Sequence, residues 1–95
     1  MFEWDPRKAK ANADKHGVPF DEAVSVFLDA DALDGPDLQH STDEPRSRRV
    51  GRSATGRILM VVYTQRRAGD AETIRLINAR RASRRERTAY VKAED

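Results

Sequence analysis

The sequence predicts an α+β fold: an antiparallel sheet of about four strands, with two helices before it and one after. Three observations carry that prediction. Residues 6–28 show helical periodicity, with apolar residues recurring at spacings of three and four. Residues 46–81 instead hold short apolar or alternating runs separated by glycine-containing turns. The end of the chain returns to helix formers behind a serine. Helices segregated from an antiparallel meander are the α+β pattern. Ninety-five residues suit one domain, taken as residues 1–95, with one core.

The elements follow in order. FEWD is short and aromatic and reads as an edge strand. Asp5 then caps a helix over residues 6–16, PRKAKANADKH, with Pro6 at its first position, where a missing N–H costs nothing. At about 100° per residue, Lys8, Asn12, Lys15 and His16 share one side, and Ala9 and Ala13 turn inward. Gly17 supplies a left-handed stop and Pro19 prevents continuation. A second helix begins around Asp21, with Phe20, Ala23, Val24, Phe27 and Leu28 as its apolar stripe. Asp21 and Glu22 suit its N-terminal dipole. The acidic segment DADALDGPDLQHSTDEP reads as a loop with a short strand near residues 32–34. RSRRVGRS is a strand of weak apolar signal, and SATG is the hairpin turn after it. GRILMVVYTQ is apolar on both faces and therefore central. RAGDAE is the next turn and TIRLINAR the next strand. In ASRRERTAYVKAED, Ser83 with Glu86 three residues on makes a capping box.

Composition narrows the function. There is no cysteine, hence no disulfide framework and no thiolate metal site, which suits a reducing cytoplasm. MFEWDPRK has no apolar signal core, so secretion is not expected. The longest apolar run, ILMVVY, is far short of the ~20 residues of a membrane helix. The small net charge of +2 hides an asymmetry. Residues 1–45 carry four lysines and arginines against eleven acids, a net of −7; residues 46–95 carry fourteen against five, a net of +9. All the late cations but Lys92 are arginines, the better bidentate phosphate ligands. They form either a polyanion-binding face or a solvated surface attracted to the acidic half.

No metal, Walker or nucleophile-elbow motif is present, and His16 and His40 are far apart in sequence. Cations with one histidine suit RNA cleavage by the ribose 2′-OH, which needs proton transfer and charge stabilisation and no cofactor. Histidine suits the proton work, with an ordinary pKa of ~6.5. Preorganised arginines suit the charge on the phosphorane. An aromatic such as Trp4 suits base stacking. Each residue also has a structural reading. His16 fits a helix C-terminus electrostatically, Trp4 fits a core anchor, and Lys8 and Lys15 fit solvated helix positions. Arg75 interrupts an apolar strand. Arg80, Arg81, Arg84, Arg85 and Arg87 crowd a helix start that disfavours positive charge. Two non-enzymatic functions fit the same charges: a nucleic-acid-binding module and a protein-interaction adaptor.

As a whole the chain resembles the BrnT family of toxins from bacterial type II toxin–antitoxin modules. The resemblance rests on FEWDPRKAKANADKHGVPFDEAVSVFLD, GRSATGRILMVVYT and IRLINARRASRRERTAY, in that order. It implies a RelE-like ribonuclease fold, an RNA substrate and a translation-blocking activity. It further implies neutralisation by a BrnA-like ribbon-helix-helix antitoxin, through which alone DNA is contacted. No cofactor and no membrane are expected. The matching positions are Trp4, Asp5, Lys8, Asn12, Lys15, His16 and Gly17; Phe20, Glu22, Ala23 and Phe27, read as structural; then Gly51, Arg52, Arg75, Ala79, Arg80, Ala82, Glu86 and Tyr90. Asn78 departs from the small serine common there. Among these positions we expect His16, or Lys15 beside it, to handle protons, and Lys8, Arg52, Arg75 and Arg80 to hold phosphate. Glu86 is the base or orients an arginine. Trp4, Asn12, Arg84 and Arg85 are expected to contact RNA.

Overall fold

The computed structural model describes residues 1–38 and 44–94; His40 and the rest of 39–43 in the acidic segment lie outside the described residues. The elements are β1 (Phe2–Glu3), α1 (Pro6–His16), α2 (Phe20–Val24) leading into a 3₁₀ turn (Ser25–Leu28), β2 (Leu33–Pro36), β3 (Ser47–Arg52), β4 (Ile58–Ala68), β5 (Ala71–Arg81) and α3 (Arg84–Glu94). Among the described residues the sheet holds five strands, in the order β1-β5-β4-β3-β2, where the sequence predicted about four. It is also mixed. β1 runs parallel to β5, with Phe2 opposite Ile74 and Glu3 opposite Arg75, and the other pairs are antiparallel. Two residues carry too little pattern to reveal a strand's direction, and the partner strand lies far along the chain. Among the described residues no helix is long and apolar enough to cross a membrane.

Local signals decide the helix ends. Asp5 accepts a hydrogen bond from the Arg7 N–H at 2.9 Å, and Gly17, at φ 69°, returns its N–H to the Ala13 carbonyl at 2.8 Å. At the other end, Ser83 and Glu86 exchange bonds of 2.8 and 3.2 Å in the expected capping box. The second helix departs from expectation. It tightens to 3₁₀ after Val24, and a 3₁₀ turn aligns residues three apart. Ala23 and Val26 therefore share the buried side with Phe20, while Leu28, placed in the stripe from the sequence, is 86% exposed.

β4 is central, and its alternate residues enter two cores. Leu59, Val61 and Tyr63 join Val18, Phe20, Val26, Leu76 and Ala79 beneath the N-terminal helices. Met60 and Val62 join Val50 and Tyr90 beneath α3. A bulge lets β5 serve both. Val62 pairs with Asn78 but Tyr63 pairs with Leu76, which leaves Ile77 as the extra residue. Leu76 and Ala79, three apart, can thus both face the helices, while Ile77, Asn78 and Arg80 face the other way. On β3, Gly51 passes so close under the 3₁₀ turn that a Cβ would lie 2.9 Å from Ala32 Cβ and Val26 Cγ1.

Glu22 ties the β3–β4 hairpin to the helices. Its carboxylate accepts from Ser53 Oγ at 2.7 Å, Thr55 Oγ1 at 2.6 Å and Arg57 Nε at 2.9 Å, and Arg57 also donates to the Gly17 carbonyl at 3.0 Å. The Arg57 guanidinium, helped by the two hydroxyls, holds the Glu22 carboxyl down to about 2, against an ordinary 4.5. A lowered folded-state pKa stabilises the fold fully above the unfolded value and loses that contribution as pH falls through the folded one. Glu22→Gln is therefore expected to cost about 2–3 kcal/mol at neutral pH. Urea unfolding of wild type and variant should converge between pH 4.5 and about 2. A constant gap across that window would remove Glu22 as its source.

Candidate functional site

α1 and α2 cover one face of the sheet, and α3 covers only part of the other. Met60, Val62, Ile77 and Asn78 are left as the floor of an open cleft of about 310 Å³, within the ~300–1,000 Å³ of ordinary ligand sites. His16, the last residue of α1, stands at the rim beyond β5. Arg48 of β3, Arg46 just before that strand and Asp37 just after β2 stand on the opposite side, and Arg80 rises from β5. Two strand spacings, about 10 Å, separate β5 from β3 beneath it.

Asn12 explains how a residue of α1 reaches this face. β1 pairs with β5 only as far as Arg75, so among the described residues the edge of β5 at Ala79 has no strand beside it. The Asn12 amide takes that place. Its Oδ1 accepts from the Ala79 N–H at 3.1 Å, and its Nδ2 donates to the Ala79 carbonyl at 2.8 Å and the Val18 carbonyl at 3.0 Å. The side chain is buried and these backbone groups engage both ends of its amide, so its hydrogen bonds are spent within the fold. It is the clamp that lays α1 across the β5 edge, one helical turn before His16. Asn12→Ala strips the partners from buried backbone groups and is expected to cost about 2–4 kcal/mol in thermal or urea unfolding. A loss below about 1 kcal/mol would show that water replaces the clamp.

Arg80 is held rigidly. Its Nη1 and Nη2 donate to the two Glu86 oxygens at 2.8 and 3.0 Å, a bidentate pair, and Arg48 Nη2 lies 3.7 Å from the same carboxylate. Burial opposes Glu86 ionisation. Hydrogen bonds from Arg80 and from the Ser83 N–H outweigh it and hold the carboxyl below the usual range. With its oxygens so engaged and its side chain 8% exposed, Glu86 holds the Arg80 guanidinium in place.

The other expected residues lie apart from the cleft lining. Trp4 is half-buried against the core, edge-on to Phe20 with ring centres 5.9 Å apart, and so is an anchor. Arg75 pairs with Glu3 at 3.4 Å. Arg52 lies over the Tyr90 ring at 5.6 Å and lines a separate hollow with Ser25 and Asp29. Lys8 and Lys15 are exposed on α1, and Arg84 and Arg85 are exposed on the first turn of α3. Arg85 lines a neighbouring groove. Sequence reasoning missed Arg46, Arg48 and Asp37. The signal was there for the arginines: alternation from buried Val50 puts Arg48 and Arg46 on its side of the sheet. Among the described residues no three His, Cys, Asp or Glu cluster as a metal site would require.

The model of the family described as ribonuclease toxin, BrnT, of type II toxin-antitoxin system matches residues 4–86, a span that includes His16, Arg48, Arg80 and Glu86. No curated protein matches the chain. Among solved structures, the 1.1 Å crystal structure of the Brucella abortus ribonuclease toxin, BrnT, is similar. It is 26% identical, with a TM-score of 0.64 over 88% of this chain and 99% of that one. With a family match across most of its length and a solved member of like fold, the chain belongs to the BrnT family of ribonuclease toxins of type II toxin–antitoxin systems.

Proposed function

We propose that this chain is a metal-independent endoribonuclease and that the cleft between His16 and Arg48 is its reaction centre. A ribose 2′-oxygen attacks the adjacent phosphorus, the P–O5′ bond breaks, and a 2′,3′-cyclic phosphate and a 5′-hydroxyl result. His16 handles the proton of the attacking or leaving oxygen. Arg80, held by Glu86, and Arg48 stabilise the charge that grows on the phosphorane. Lys15, next to His16, and Arg46 add field without touching the reacting atoms. The observation that carries this reading is the convergence of the sole histidine among the described residues with three arginines in one cleft. The test is incubation of the purified chain, freed of any partner, with RNA in EDTA. Cleavage with cyclic phosphate ends is the expected result. Intact RNA with salt-sensitive binding would instead mean a non-enzymatic grip on phosphate.

The proposal extends to the partner, the fold group and the compartment. A dimeric ribbon-helix-helix antitoxin neutralises the toxin in the cytoplasm, and the fold groups with the RelE-like ribonucleases. The support is the family membership, since a type II module pairs its toxin with a protein antitoxin. The neighbouring reading frame should encode such a protein, and co-expression should yield a complex without RNA cleavage.

A further inference from the structure

Beside the His16 cleft lies a second groove, of about 600 Å³, between β2–β3 and the first turns of α3. Leu33, Val50 and Ala89 give it apolar surface, Ser83 gives a hydroxyl, and Arg85 stands on its α3 side. Arg48 and Arg80 line both this groove and the His16 cleft, so the two hollows meet at these side chains. The groove's carboxylates are already engaged: Asp34 with Arg49 and the Tyr63 hydroxyl, Glu86 with Arg80. Arg80 and Arg48 share the one Glu86 carboxylate, and Arg85 stands beside them, so the groove keeps an excess of positive charge for a polyanion. An apolar floor with a cationic rim is the chemistry that holds a base and its phosphate together.

Resting on the ribonuclease reading above, we propose that this groove is a second nucleotide subsite. One nucleotide of the RNA lies in the His16 cleft, its neighbour lies against Leu33 and Val50, and the phosphate that joins them sits at Arg48 and Arg80. The two hollows then divide recognition on either side of the bond to be cut, and base preference on the groove side is set by β2 and α3.

Gly35 allows a direct test, because a Cβ built there meets nothing within 4 Å. Gly35→Trp should fill the groove and leave the sheet intact, which circular dichroism and thermal unfolding check. Ala89→Glu, on exposed helix surface, is the second variant and sets a negative charge against the phosphate. Each is expected to raise KM for short oligoribonucleotides at least tenfold and to leave kcat within about threefold. Arg67→Ala, a distant cation paired with Glu72, should change neither. If wild type cleaves RNA while Gly35→Trp and Ala89→Glu keep KM within twofold, the subsite is wrong. If they weaken the antitoxin complex and not cleavage, the groove seats a protein, and the subsite is equally wrong. A wild type that cuts no RNA overturns the ribonuclease reading first.

Discussion

Arg80→Ala is expected to lower RNA cleavage by about 10²–10³-fold, most of it in kcat. The reason is geometric. Bidentate pairing with Glu86 fixes the guanidinium before substrate arrives, so its charge is aimed without reorganisation at the moment of reaction. Arg80→Lys keeps the charge and loses the fork, and should recover only a small part of the rate. Glu86→Gln is the informative companion. It leaves Arg80 in place but loosened, so kcat should fall while RNA binding, read by salt-dependent titration, is largely kept. In cells, induced wild type should arrest growth and Arg80→Ala should relieve the arrest. A folded Arg80→Ala protein that still arrests growth and cleaves RNA at the wild-type rate would remove Arg80 from the site.

His16→Ala carries the second large effect, a loss of about 10²–10⁴-fold, the usual worth of a positioned general acid or base. A merely structural histidine at a helix end would leave a different trace. Its loss would cost the fraction of a kcal/mol that a charge at an exposed helix C-terminus contributes, with no change in reaction order in protons. The pH profile separates the two. His16→Ala should abolish one limb of the kcat/KM profile, while unfolding by urea stays within about 1 kcal/mol of wild type. Unchanged limbs would mean that another group moves the proton, with Lys15 next in line by position.

The signals that were readable before folding are those contained within a few residues. Asp5 with Pro6 starts α1 and Gly17 ends it; Ser83 with Glu86 starts α3; the two-faced apolar run Ile58–Tyr63 is the centre of the sheet. The charge asymmetry left a polyanion-binding face and a solvated surface both open, whereas the ordered motifs pointed to the family to which the chain belongs. Each of these depends on local backbone sterics, hydrogen-bond supply or composition, none of which needs a partner from elsewhere in the chain.

Folding decided which of many similar cations line the cleft. Lys8, Lys15, Arg52, Arg75 and Arg80 looked alike in sequence, yet of these five only Arg80 lines the cleft, with Arg48, which had not stood out. The bulge at Ile77 turns Asn78 and Arg80 to the α3 face, and one residue more or less of slip would exchange the faces. Asn12 looked like one more polar group on an outward side of α1. Its true partner, the unpaired edge at Ala79, exists only because β1 is two residues long. A helix ending at Gly17 was determined by the sequence itself, because a left-handed glycine needs no distant contact. That the ending sets His16 in the same cleft as the arginines was decided only by register and strand edge, properties of the assembled sheet and not of any segment in it.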